Sequence, residues 1–93
     1  MIRSIKDRRI ELIMSGRSPK GFPPDLVRPA QRKLAQLVAA IVLEDLRSPP
    51  GNRLEALRGD RQGQYSIRIN DQFRIAFRWA DGSAFEVEIV DYH

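Results

Sequence analysis

The last three residues are Asp91-Tyr92-His93, and His93 is the only histidine in the sequence. An imidazole is the natural proton carrier near neutral pH, and a tyrosine and a carboxylate beside it are suitable partners for acid–base work. A lone terminal histidine is usually a frayed tail. Here the tripeptide directly follows an apolar alternating run, and a strand there would hold it against a sheet. A second chemical group is Glu55-Ala56-Leu57-Arg58-Gly59-Asp60-Arg61, a carboxylate and two arginines around a glycine turn. Arg74 stands in a later alternating segment. The planar guanidinium suits bidentate contact with phosphate and stacking on bases. These residue types fit RNA cleavage, in which the RNA supplies its own 2′-hydroxyl nucleophile. The protein then has only to align that hydroxyl, move protons and stabilise charge on the phosphate.

Other chemistries find less support. The chain has no cysteine, which excludes disulfides, thiolate zinc sites and cysteine nucleophiles. One histidine and scattered carboxylates give no metal-ligand spacing. There is no glycine-rich phosphate loop. Ser66 has no evident histidine base, so a serine hydrolase is a poor reading. No apolar run is long enough to span a membrane, and the first residues lack a signal-peptide core, so a cytoplasmic protein is expected.

The elements that must position these groups follow from periodicity. Met1–Ile5 suits a short strand. Asp7 is placed to cap a helix carrying Ile10, Ile13 and Met14 on one face, and Gly16 to end it. Ala30, Leu34, Leu37 and Ile41 recur at helical spacing, flanked by Val38, and predict a second helix ending near Leu43–Asp45. Its start is set either by Asp25 as a cap or by Pro29 in the first turn. Pro/Gly clusters at 18–24 and 48–52 read as loops, and Ser15–Pro24 offers few anchors.

After Gly51 the period becomes that of strands. Arg53–Arg58 is a possible strand with imperfect alternation. Tyr65, Ile67 and Ile69 alternate with polar residues, as do Phe73, Ile75, Phe77 and Trp79, and then Phe85, Val87 and Ile89. Short turns at 70–72 and 80–83 suit hairpins. The whole of 1–93 reads as one α+β domain, with two N-terminal helices packed on one face of a small antiparallel sheet. The other face would present Arg68, Arg74 and Arg78 near Glu86 and Glu88. That pattern is either a solvated ladder of cross-strand ion pairs or a shallow anion-binding surface.

Charge favours an anionic partner. The chain of 93 residues is 30% charged, with a formal net charge of +4 and a pI near 10.1. Residues 1–33 hold nine basic and three acidic side chains. Such a basic surface is the footprint of a nucleic-acid binder, and equally of a protein that docks an acidic partner.

Taken together, the runs Arg53–Arg61, Tyr65–Asn70, Phe73–Trp79 and the ending Val90-Asp91-Tyr92-His93 resemble HigB-type toxins of the RelE/ParE superfamily. The ordered combination of Gly-Asp-Arg, Phe-Arg-Ile and terminal Asp-Tyr-His is more specific than any one of them. The resemblance implies a toxin of a bacterial type II toxin–antitoxin pair. It would be a metal-independent endoribonuclease without cofactor that cuts mRNA on the ribosome. It implies neutralisation by a HigA-type helix-turn-helix antitoxin, and operator DNA as a partner of the complex. His93 would then donate or accept a proton, Asp91 would accept one or orient, and Tyr92 would stack on a nucleotide. Arg74 would stabilise the phosphate, and Arg58, Arg61, Arg68 and Arg78 would contact RNA. Glu55 stands where some members carry an active-site histidine; it can accept a proton but supplies no positive charge. A gyrase-poisoning toxin of the same fold is the alternative, as is an inactive antitoxin-binding module. The terminal tripeptide with Arg74 resembles the ribonuclease branch.

Overall fold

The computed structural model describes residues 1–91. Helix α1 spans Arg8–Met14 and is specified at both ends. The Asp7 carboxylate accepts a hydrogen bond from the Arg9 amide at 3.0 Å, which satisfies one of the unpaired donors of the first turn. At the other end Gly16 adopts φ +86°. The Gly16 amide donates to Ile13 at 2.9 Å and the Arg17 amide to Leu12 at 2.9 Å. That reciprocal pair is the glycine-terminated stop expected from the sequence. Ile10 and Ile13 are fully buried, whereas Met14, the last residue of the helix, is 46% exposed.

Helix α2 spans Val27–Ala39, with Pro29 in its first turn and Ala30, Leu34 and Leu37 buried. It stops short of the expected Leu43–Asp45. Ala40 is extended, and the Asp45 carboxylate accepts from the Ile41 and Val42 amides at 2.9 and 3.2 Å. Those two amides thereby leave the helical ladder, and a 3₁₀ turn at Leu43–Arg47 follows. The same two bonds hold the Asp45 carboxyl below its ordinary pKa. Ile41, expected on the buried stripe, is consequently 77% exposed.

Strands β1 (Glu55–Ala56), β2 (Tyr65–Arg68), β3 (Phe73–Ala80) and β4 (Ser83–Asp91) form an antiparallel sheet in chain order. The possible strand at Arg53–Arg58 shrinks to two residues, because Arg53 is left-handed at φ 46° and Gly59 opens a 3₁₀ turn. Residues 2 and 5 bridge β4 in parallel at Ala84 and Val87, as two isolated bridges instead of a continuous strand. The cause lies in β4. The register slips between Ala76 and Arg78, and Glu86 takes φ 52°, so β4 carries one extra residue there. The bulge reverses the alternation before it: Phe85 pairs with Arg78 and stays partly exposed outside the core, while Val87 and Ile89 are buried in it.

Ile10, Ile13, Leu34 and Leu37 of the helices share one core cluster with Ile67, Ile75, Phe77, Val87 and Ile89 of the sheet. The 18–24 loop is better anchored than its composition suggests. Phe22 is 3% exposed and its ring lies 5.1 Å from that of Phe73. Asp7 and Arg9 also close the edge of β4. Ile89 N–H donates to the Asp7 carboxylate at 3.1 Å, and the Arg9 guanidinium donates to the Ile89 carbonyl at 3.1 Å. Two side chains thus replace a neighbouring strand on the segment that leads to Asp91.

Candidate active site

Alternation in β2 and β3 sets Ser66, Arg68, Arg74, Ala76 and Arg78 on the sheet face away from the core. That face is not simply solvated. Leu57, Ala76 and Val90 form a small buried apolar cluster on it. Ser66 is fully buried and Arg74 is 8% exposed. The Arg74 Nε donates to Ser66 Oγ at 2.7 Å. Its Nη2 donates to the Arg53 carbonyl at 2.6 Å and to the Ser66 carbonyl at 3.4 Å. Glu55 pairs with Ser66 across β1 and β2, and its carboxylate lies 3.9 Å from Arg74 Nη2. The guanidinium is thus oriented by neutral oxygens on two sides, with one half-exposed carboxylate beside it. Such preorganisation lets a cation meet developing charge without first reorganising.

The β4 register places Val90 opposite Arg74 and Asp91 opposite Phe73. Asp91 is therefore one residue along the ladder from Arg74, on an exposed strand end, where Gln72 Nε2 donates to its carboxylate at 3.3 Å. Its charge is felt at Arg9. The hydrogen bond from Arg9 to Asp7 raises the guanidinium pKa most, against burial, and Glu88 and Asp91 add to the rise. Tyr92 and His93 lie outside the described residues.

Beside β1 runs an open depression of about 500 Å³, lined by residues 56–59 and 62–65. Arg58 stands on its wall, exposed, and forms no ion pair among the described residues. Arg61 turns away to Gln64 and Glu88, each at 3.1 Å, and Lys6 approaches the same Glu88 carboxylate at 3.6 Å. Arg78 pairs with Glu86 at 3.3 Å. It also closes over the backbone of Gly63, where a Cβ would meet the Arg78 Nη1 at 2.9 Å. Arg68 pairs with Asp71. Of the expected cross-strand ladder of Arg68, Arg74 and Arg78 with Glu86 and Glu88, only Arg78–Glu86 is present among the described residues; Arg68 pairs with Asp71 in its own turn, and Glu88 is taken by Arg61 and Lys6. Exposed pairs of this kind contribute only about 0–1 kcal/mol, so an incoming phosphate can displace them. Arg74 differs from them by its burial and by the neutral oxygens that hold it beside Glu55.

The structure brings Arg74, Glu55 and the strand end bearing Asp91 to one end of the sheet, with Arg58 along the neighbouring depression. Sequence reasoning missed Ser66 and the Arg53 carbonyl as supports of Arg74. The signal for Ser66 was its alternation phase, which put a small hydroxyl on the same face as an arginine. Nothing in the sequence marked the Arg53 carbonyl, because a left-handed arginine is an outcome of tertiary closure. Among the described residues no group of three histidines, cysteines or carboxylates comes together to hold a metal. No helix among them is long and apolar enough to cross a membrane.

The molecule is thus a small helix-and-sheet protein with an arginine fixed on the sheet face away from its core. Residues 5–93 match the family described as RelE-like toxin of type II toxin-antitoxin system HigB, and the chain belongs to that family. It is 29% identical over 93 residues, the full length of both chains, to Endoribonuclease HigB of Proteus vulgaris. It is 48% identical over 63 residues to Toxin HigB-1 of Vibrio cholerae serotype O1, covering 68% of this chain and 66% of that toxin. An uncharacterized protein of Haemophilus influenzae is 40% identical over 58 residues, covering 62% of this chain and 57% of the other. A toxin of this family has an antitoxin partner.

Proposed function

We propose that this chain is a ribosome-dependent mRNA endoribonuclease, acting without a metal ion in the cytoplasm and neutralised by a HigA-type antitoxin whose complex binds operator DNA. The whole of 1–93 acts as one toxin domain, its two helices covering the sheet face opposite Arg74. The observation that carries the reading is the buried, doubly held Arg74 guanidinium. Family membership and the name of the Proteus vulgaris relative support it.

In this mechanism the RNA backbone lies across the end of the sheet. Arg74 stabilises charge on the phosphorane formed when the 2′-hydroxyl attacks the adjacent phosphate. His93 donates a proton to the leaving 5′-oxygen or accepts one from the attacking hydroxyl, and Asp91 orients it or shares the second transfer. Glu55 can accept a proton at the position beside Arg74. Tyr92 stacks on a base. Arg58, Arg61, Arg68 and Arg78 hold flanking phosphates, three of them by exchanging a surface carboxylate for the phosphate.

The test is a reconstituted translation reaction given wild type or His93→Ala, with mRNA 5′ ends mapped by primer extension. Translation-dependent cuts are expected from wild type. They should fall by about 100-fold or more in the variant, the scale of a positioned acid–base group. Absence of cuts by folded wild type refutes the ribonuclease reading and directs attention to a gyrase supercoiling assay.

A further inference from the structure

We propose that Arg32, Lys33 and Arg68 form a second phosphate-binding surface, which carries a single-stranded RNA backbone onward from Arg74 across the middle of α2. The inference rests on RNA being the substrate and adds where the strand runs.

Hydrogen bonds and strand register bring Lys33 and Arg68 to one rim, the end of the sheet that holds Arg74. Arg68 is the register partner of Arg74 across β2 and β3. The Arg74 guanidinium holds the Arg53 carbonyl, and the preceding residue, Asn52, is fully buried. Asn52 Oδ1 accepts from Lys33 Nζ at 2.5 Å, which brings α2 to the same end of the sheet. Lys33 in turn feels the charges of both Arg32 and Arg68. Its pKa is lowered first by burial and then by these two neighbours. Hydrogen bonds and backbone thus lead from Arg74 through Arg53 and Asn52 to Lys33, while Arg68 faces Arg74 in the sheet.

The carboxylates along this rim are few. Asp71 pairs with Arg68 and is almost fully exposed, and Glu55 stands 3.9 Å from Arg74. Among the described residues neither Arg32 nor Lys33 forms an ion pair. Like charges gathered without counter-charge cost stability, and a row of phosphates relieves that cost by replacing condensed counterions with fixed cations. Lys33 donates to a neutral amide oxygen, which fixes its position without a counter-charge. A phosphate backbone, with charge at regular intervals, matches a row of cations at successive positions better than a single small anion does.

The experiment measures binding of a non-cleavable 2′-O-methyl RNA oligonucleotide by fluorescence anisotropy over a salt series, for wild type, Arg32→Gln, Arg32→Glu and Arg32→Gln/Lys33→Gln. Two lost phosphate contacts should reduce the slope of log K against log salt by about 1.4. Near 0.1 M salt that corresponds to roughly 25-fold weaker binding, one decade of salt times the lost slope. Lys33 touches a buried residue, so the Arg32 variants, on an exposed helical position, carry the test if the double variant melts early. An unchanged slope in folded variants overturns the proposal. So does loss of binding to polyglutamate with RNA binding intact, which would assign the rim to an acidic protein. Translation-dependent cuts with an unchanged slope would refute only the rim. A rim-dependent slope in a protein that never cuts mRNA would refute the ribonuclease reading and leave the rim as an RNA-binding surface.

Discussion

Replacing Arg74 by lysine keeps the charge and removes the fork. Arginine reaches Ser66 Oγ through Nε and the Arg53 carbonyl through Nη2, at 2.7 and 2.6 Å. Lysine has one donor centre at the end of a flexible stem. It can serve one of these oxygens but cannot hold both and still face a phosphate. At least one hydrogen bond from a charged donor is lost, worth about 1.5–3 kcal/mol in a buried setting. For a domain of this size 1 kcal/mol moves the melting temperature by roughly 4–8 °C. The expected outcome is therefore a fall of about 6–24 °C, since the lost interaction is at most the whole hydrogen bond. The catalytic effect should be larger than the stability effect suggests. A preorganised donor aimed at developing charge contributes about 10²–10³ in rate, and an ammonium that wanders between the Ser66 hydroxyl and the Arg53 carbonyl gives up most of it. The assay pairs a thermal melt with primer extension in the translation reaction, well below the variant's melting temperature. Unchanged melting together with full cleavage by Arg74→Lys would show that the two-oxygen clamp neither stabilises the sheet face nor positions the cation, and the site assignment would fall.

Further predictions concern the supports of the site. Asp7→Ala removes the α1 cap and leaves the Ile89 amide without its partner, and should cost about 2 kcal/mol at pH 7 in chemical denaturation. Burial pushes the Asp7 carboxyl up, but the hydrogen bonds from the Arg9 side chain and from the Arg9 and Ile89 amides outweigh it, so its pKa lies below the ordinary value of 3.8. A carboxylate with a depressed folded pKa contributes stability that is complete above the unfolded pKa and is lost as pH falls through the folded one. The gap between wild type and Asp7→Ala should accordingly narrow between pH 7 and pH 3, and a constant gap refutes the assignment. Asn52→Ala removes a fully buried amide that donates to Gln36 Oε1 at 2.8 Å and to the Leu46 carbonyl at 3.1 Å, and accepts from Lys33. Several buried groups lose their partners at once, so a loss of about 3 kcal/mol is expected. A thermal melt within a few degrees of wild type would contradict that.

Much of this molecule follows from local chemistry written in the chain. The Asp7 cap and the Gly16 stop of α1 are short-range events, and both appear as the sequence predicts. The same holds for the alternation of β2 and β3, whose apolar phase decides which face is buried. The basic end residues and the arginine-bearing strand already point to an anionic ligand. Where α2 stops is a different matter. Periodicity continued through Ile41, but the Asp45 carboxylate takes the Ile41 and Val42 amides, and a competing acceptor four residues ahead is invisible to a periodic pattern. The inward phase expected of Phe85 failed for a similar reason. One extra residue at Glu86 lets β4 follow both β3 and the N-terminal segment, and a bulge changes phase without changing composition.

The candidate site divides along the same line. Residue type identifies Arg74 as a cation suited to phosphate. Its difference from Arg61, Arg68 and Arg78 depends on what surrounds it. Those three meet carboxylates, and of their pairs only Arg78–Glu86 belongs to the cross-strand ladder that the sequence predicts. Arg74 meets Ser66 and the carbonyl of Arg53, which is twenty-one positions away in the chain. That contact exists only after the 48–53 turn has closed onto the sheet, because a backbone carbonyl carries no residue-type signal and its direction is set by the fold around it.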